Sequence, residues 1–438
     1  MILNKTNSRV IIFLFTLFIT SLFFNSCIAL ISFDSNSAES LTFLPKELHE
    51  KPSIAVSGEN VHVTWATWPD EYNCAIYYKR SLDNGKNWTE AININLNDSK
   101  AMDPQIAVNN NYVNIIWIDY RNNKSEIYHS FSDDNGETWN EPNRLTFNST
   151  RKSCIFDIGL YSNGDNLYSV WKDYRYGSSE ILFKKSNDNG LTWDDDQRLT
   201  ADYTPSYAPF LSCYEKNLFI VYEDWSSGSE IAFLKSKDAG ITWSQKVQLT
   251  DIQKNGDSEN PNLFVNDNTL YLVWQNGESN SYNIYFTKSN DDGEKWENVT
   301  QLTYSPGSLF NPQIYVYQRN VMVIWQEEKN GSFGIYYKLS NDDGETWGDI
   351  QTLQSNKNCY DLCFSFEGEN IHFVWQVYHE PTWGDIWYLG NSDYIKFDDP
   401  IEKTKEDDKL PGFELVITII SIFTLLSILK IRKNKRGY

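Results

Sequence analysis

Six copies of one eight-residue motif recur along the chain at nearly constant spacing. They are S-L-D-N-G-K-N-W from Ser81, S-D-D-N-G-E-T-W from Ser132, S-N-D-N-G-L-T-W from Ser186, S-K-D-A-G-I-T-W from Ser236, S-N-D-D-G-E-K-W from Ser289 and S-N-D-D-G-E-T-W from Ser340. Successive starts lie 51, 54, 50, 53 and 51 residues apart. A period near 50 with strand-like content restricts the fold to a propeller or solenoid, in which each repeat buries its apolar surface against the next. The motif itself reads as a turn. Asp and Asn bond back to nearby backbone N–H groups, Gly supplies a positive φ, and Trp pins the turn to its sheet.

A second ladder sets the register. An apolar strand ending in an aromatic residue precedes each motif, at Trp65, Trp117, Trp171, Tyr222, Trp274, Trp325 and Trp375. These steps are 52, 54, 51, 52, 51 and 50 residues, so the ladder has seven members where the turn has six. Thirteen residues ahead of most of them a proline opens another strand: Pro52, Pro104, Pro209, Pro261 and Pro312. Alternation such as Val61-His62-Val63-Thr64-Trp65 has the period of two expected of strands, and no long amphipathic helix pattern is present. Each unit thus reads as four strands in about 50 residues, one blade of an all-β propeller.

The seventh unit stops after its third strand, Ile386–Leu389. Its missing partner is at the other end of the sequence, where Ser40-Leu41-Thr42 precedes Pro52 as Gln301-Leu302-Thr303 precedes Pro312. Residues near 40–43 are therefore expected to complete the last blade and join the termini, removing a reactive sheet edge. This gives seven blades within residues 40–393, or six if the terminal unit is a partial cap.

The S-x-D-x-G-x-T-W motif resembles the Asp-box, or BNR repeat, of the sialidase-like propellers, and the resemblance spans roughly residues 40–393. It implies a propeller with its ligand face opposite the boxes, and sialidase-like glycoside hydrolysis as one activity. Sialidases are six-bladed and carry Arg-Ile-Pro ahead of the first repeats, the start of an arginine clamp on the sugar carboxylate. The corresponding stretch here is Glu50-Lys51-Pro52, without arginine. No position can be assigned to the family's Tyr–Glu catalytic pair.

The ends of the chain speak to compartment. Residues 1–30 have Lys5 and Arg9, an apolar run from Val10 to Phe24, then Ser26-Cys27-Ile28-Ala29, the order of a secretory signal; an uncleaved anchor is the alternative. A charged linker (394–412) leads to a mostly apolar segment, Leu415–Leu429, and five cations from Lys430 to Arg436. These fifteen residues reach only ~22 Å as a helix, so a transmembrane segment over 413–430 needs Phe413 and Lys430 to extend it. The basic tail, 431–438, is expected to stay cytoplasmic, placing the propeller on the extracellular side of the membrane. Pro411-Gly412-Phe413 also resembles the archaeal C-terminal sorting signal, which implies processing and a lipid anchor.

Fifty-nine acidic against 38 basic residues give a net charge of −21, which argues against nucleic acid and anionic polymers as partners. The five cysteines beyond the signal are an odd number, so at least one is unpaired, and no zinc spacing or phosphate loop occurs. No metal or other cofactor is expected. Sequons at Asn87, Asn97, Asn123, Asn148, Asn298 and Asn330 permit glycosylation of an exported chain.

Of 16 tryptophans, packing in the turns and the ladder explains twelve, leaving Trp68, Trp225, Trp383 and Trp387. The first three fall between second and third strands, on the face opposite the turns. Three residues past the ladder stand Trp68, Tyr120, Tyr174, Trp225 and Tyr378, an arc over five neighbouring blades. Beside them are Asp119, Asp173, Asp224, Arg121 and Arg175. Aromatic faces beside charged groups suit sugars, whose C–H faces stack while their hydroxyls bond. The competing explanation is repetition alone, with each Asp-x-Arg pairing internally. Glu126, Glu180 and Glu230 read as repeated structural bonds. Two functions follow: a surface-displayed module binding carbohydrate or an extracellular protein, or an exo-glycosidase with two carboxyl groups flanking one sugar.

Overall fold

The computed structural model describes residues 37–390 apart from the short segments 43–46, 71, 97–99, 123, 148–153, 203, 252–255, 279–280, 330, 356, 369 and 380–382. The expected signal (1–30), the charged linker, the C-terminal apolar segment and the basic tail lie outside the described residues. No helix among the described residues is long and apolar enough to cross a membrane.

Among the described residues every regular element of length is a strand, and the strands form seven four-stranded antiparallel blades. The first and last of them are joined into one eight-stranded sheet by a parallel pairing of Leu48 with Gly384. The first strands are Leu48–Ser57, Ala101–Asn109, Ile155–Asn163, Ser206–Tyr214, Asp257–Asn266, Leu309–Tyr317 and Cys359–Glu367. They contact one another in sequence and line a central cavity of about 900 Å³. Each pairs with a second strand that ends at or just beyond the ladder: Asn60–Trp68, Tyr112–Asp119, Asn166–Asp173, Asn217–Asp224, Thr269–Glu278, Asn320–Lys329 and Asn370–His379. A third strand follows, and then a short outer one, only two residues long in six blades. Such short edges limit pairing with other chains.

The seventh blade closes as the sequence pattern requires. Glu39–Ser40 pairs antiparallel with Trp383–Gly390, placing Glu39 opposite Tyr388 and Ser40 opposite Trp387. The Leu41 amide donates to the Ile386 carbonyl at 2.8 Å, and the Ile386 amide to Thr42 Oγ1 at 3.0 Å. The same pair of bonds joins Leu302 and Thr303 to Ile284 in blade 5.

The core lies between blades. Val61, Val63 and Trp65 of blade 1, for example, pack with Val374, Ile386 and Tyr388 of blade 7. Burying each ladder aromatic contributes roughly 1.5–3 kcal/mol. The box tryptophans act at the same junctions. Trp139 meets Tyr78 of the preceding blade edge-on at 4.9 Å, and Trp193, Trp243, Trp296 and Trp347 repeat this on His129, Phe183, Phe233 and Phe286. Trp88 closes the circle on Tyr388 at 4.8 Å. Each box Trp thus pins its turn to the sheet of the neighbouring blade.

The prolines depart from the expectation. They do not open the first strands but sit in a β-bulge within them. In blade 1, Glu50 pairs with Ala66 and Ser53 with Thr64, so Lys51 and Pro52 together oppose Trp65. The same two-against-one step recurs in every blade, including blades 3 and 7, where Ile158 and Leu362 replace proline. A bulge tolerates proline because its residues leave the regular ladder. The strand therefore begins several residues earlier than the proline suggests.

Among the described residues no disulfide is formed: Cys74, Cys154, Cys213, Cys359 and Cys363 are free.

Candidate functional site at the mouth of the central channel

The bulges build the mouth of the channel. The residue before each proline, or its equivalent, adopts a left-handed conformation: Lys51, Asp103, Asp157, Ala208, Asn260, Asn311 and Asp361 have φ between +44° and +52°. Five of the seven are Asp or Asn, which tolerate this conformation best; Lys51 and Ala208 bear a higher cost. Part of the cost is recovered in bonds across blade junctions. The Asn260 amide donates to Glu223 at 2.8 Å, the Asn311 amide to Gln275 at 3.2 Å, and the Ala208 amide to Asp157 at 3.3 Å. All seven residues line the cavity.

The ring is uneven. Blades 7, 1, 2 and 3 contribute Asp361, Lys51, Asp103 and Asp157, whereas blades 4, 5 and 6 contribute Ala208, Asn260 and Asn311. Lys51 pairs with Asp361 at 2.7 Å and Lys172 with Asp157 at 2.7 Å. Burial pushes the Asp103 carboxyl above its ordinary range, with Asp157 and Asp361 adding to the effect and Lys51 opposing it. Burial likewise raises Glu50 despite the bond it accepts from Trp68 Nε1 at 2.7 Å.

Around this ring stands a collar of aromatic side chains on the face opposite the boxes. Trp68 ends its strand with Lys100 Nζ 4.8 Å from its ring, and Tyr120 shares that lysine at 5.8 Å. Tyr174 meets Phe156 edge-on, Trp225 meets Tyr207 at 5.6 Å, and Tyr378 meets Tyr360. Phe333 links Phe310 and Tyr360, at 6.0 and 4.8 Å. Trp225 is 42 % exposed, high for an indole at the rim of a cavity.

The structure thus brings Trp68, Tyr120, Tyr174, Trp225 and Tyr378 to one rim. Their neighbours serve elsewhere. Asp119 and Asp173 have no exposed surface; each accepts the indole N–H of its own ladder tryptophan and pairs with Arg121 or Arg175. Arg121 also donates to the Asn95 carbonyl of the preceding blade, and Arg175 to Asp196. Asp224, 1 % exposed, pairs with Lys246 at 2.5 Å. These five side chains anchor the loops that display the aromatics. Glu126, Glu180 and Glu230 each accept from the threonine that follows the fourth strand, and the first two also pair with Arg144 and Arg198.

The sequence reading missed half of the collar. Phe156, Tyr207, Phe310 and Tyr360 occupy one aligned position, two residues before the proline or its equivalent, where the other blades have Glu50, Met102 and Glu259. Aligning the residues ahead of the prolines would have found them. Among the described residues no cluster of His, Cys, Asp or Glu is arranged to hold a metal ion.

No family model and no curated protein matches the chain. Among solved structures, an ulvan lyase of polysaccharide lyase family 25, bound to -[GlcA(1-4)Rha3S]-, aligns with a TM-score of 0.59 at 11 % identity, covering 76 % of this chain and 90 % of that one. An alpha-L-arabinanase from Penicillium chrysogenum gives 0.48 at 17 %, covering 67 % and 94 %; the K499G mutant of the NanB sialidase from Streptococcus pneumoniae gives 0.46 at 15 %, covering 80 % and 70 %. The likeness is one of fold. It assigns no residue a role.

Proposed function

We propose that this protein is a carbohydrate-binding propeller displayed outside the cell, holding its ligand at the channel mouth. The observation that carries the reading is the collar: aromatic rings from adjoining blades surround a cavity whose rim presents carboxylates, amides and ammonium groups. Rings stack on sugar C–H faces, and fixed polar groups at the base sort hydroxyls. Six carboxylates (Glu50, Asp103, Asp157, Glu223, Glu259 and Asp361) stand against Lys51, Lys100 and Lys172. That balance disfavours an anionic glycan such as the one in the ulvan lyase complex. Display at the surface is supported by the signal-like N-terminus and the apolar C-terminal segment.

Hydrolysis is the second reading, favoured by Glu50 and Asp103. Both carboxyls are raised by burial at the rim, as a general acid requires. A glycan array probed with the full chain, followed by a product assay on each ligand bound, tests both. The binding reading predicts uncharged or cationic oligosaccharides bound and released unchanged. Shortened products would establish the hydrolase, and an array with no glycan bound would overturn both.

A further inference from the structure

Two clefts of the collar already hold an ammonium group supplied by the chain. Lys172, one residue past the ladder in blade 3, places Nζ 5.2 Å from the Phe156 ring and 4.9 Å from that of Tyr207, bonded to Asp157. Lys100 lies over Trp68 and Tyr120. The next junction in the ring, between blades 4 and 5, has the same construction with the charge reversed. The position of Lys172 is taken by Glu223, and the position of Phe156 and Tyr207 by Glu259. Glu223, 7 % exposed, accepts from Trp225 Nε1 at 3.1 Å and from the Asn260 amide. Glu259 accepts from Gln275 at 3.1 Å and from the Tyr282 hydroxyl at 3.2 Å. Among the described residues neither carboxylate is in an ion pair. Burial raises the Glu223 carboxyl, with Glu259 adding to it, and lifts the Tyr282 phenol to about 12.

We infer that Glu223 and Glu259, flanked by Trp225 and Tyr282, receive the ammonium group of an amino sugar, which supplies the positive charge that Lys172 supplies to Asp157 one junction earlier. The inference rests on the carbohydrate-binding reading and narrows it. An ammonium relieves the repulsion that Glu259 exerts on the buried Glu223 carboxylate and lies against aromatic faces, an arrangement worth more when water is excluded. Acetylation of the amine removes that charge.

The test is titration of the full chain with a β-1,4-linked glucosamine tetrasaccharide, its fully N-acetylated counterpart, a neutral glucose tetrasaccharide and tetralysine. The inference predicts that the free amino sugar binds at least about ten-fold more tightly than the acetylated one. Glu259→Gln brings that ratio close to one while the thermal melt stays within a few degrees of the parent. Equal affinity for the three sugars overturns the ammonium site and leaves the carbohydrate reading standing. Tetralysine binding as tightly as the amino sugar overturns the assignment to a sugar. Failure of all three sugars to bind overturns both.

Discussion

Gly136 and Trp139 belong to one turn, yet both act on the blade before it. Within the turn, Ser132 donates to Asp134 Oδ1 at 2.7 Å and accepts from the Gly136 amide at 2.7 Å. Bonds from Thr138, Ser132 and Glu137 hold the Asp134 carboxyl at about 2, against the opposing effect of burial. This much was legible in the sequence, because Asp, Gly and Thr at these offsets interact locally. The contact with Tyr78 was not, since nothing in a local pattern names the blade on which a side chain lands. Gly136 has φ +81°, and a Cβ there would lie 1.9 Å from the Tyr78 hydroxyl. Gly164, at φ +58°, has nothing within 4 Å of the equivalent point. Gly164→Ala therefore costs about 1 kcal/mol for the backbone alone, and Gly136→Ala at least about 2 kcal/mol more for the displaced tyrosine. Chemical denaturation of both variants measures the difference. Equal losses would mean that the glycine serves only the turn.

At the level of the strand, the period of two and the aromatic ladder were sufficient to place the second strands, because their side chains alternate between two packed junctions. The first strands were misjudged at one end. Proline ordinarily marks a strand boundary, but here a bulge opposite the ladder aromatic absorbs it, and three or more further residues continue to the channel mouth. That continuation carries Glu50, Tyr207, Glu259, Phe310 and Tyr360, the part of the site the sequence reading overlooked.

The strands also bury histidines. His62 and His372 bond the hydroxyls of Tyr78 and Tyr388 at 2.7 Å, His129 bonds Asn114, and His49 bonds Thr67. Burial lowers His62 and His129 to about 3, and His49 and His372 to about 4. A histidine whose folded value lies below its unfolded one contributes its full stability above pH ~6.5. That contribution fades as pH falls from there towards about 3–4, because only the unfolded chain takes up the proton. Melting temperature should therefore fall progressively below pH 6.5, and His129→Asn should reduce the slope. A melt independent of pH between 7 and 4.5 would show that these rings are not held neutral.

For the molecule as a whole, the count of seven ladder members against six turns pointed to a blade shared between the ends of the chain. Closure distinguishes a propeller from an open array, whose terminal repeats can fray independently. Leu41 is 2 % exposed within the junction of blades 7 and 1. Leu41→Ala should cost about 2–5 kcal/mol. The loss should appear as a lower single transition rather than as a separate early one, because each blade is packed on both sides. An early partial transition in the variant would mean that the last blade opens alone.

Under the proposed function the two faces have separate duties: the boxes hold the ring together, and the collar holds a ligand. The most direct test pairs Trp225→Ala with Trp139→Ala, measuring for each the affinity for one oligosaccharide bound by the parent chain and the thermal melt. Trp225→Ala should weaken binding by about 1–3 kcal/mol with little change in the melt. Trp139→Ala should lower the melt, reflecting about 3 kcal/mol of lost packing, with affinity retained below the transition. The reverse pattern, with Trp139→Ala losing the ligand and Trp225→Ala losing stability, would contradict the assignment of both faces.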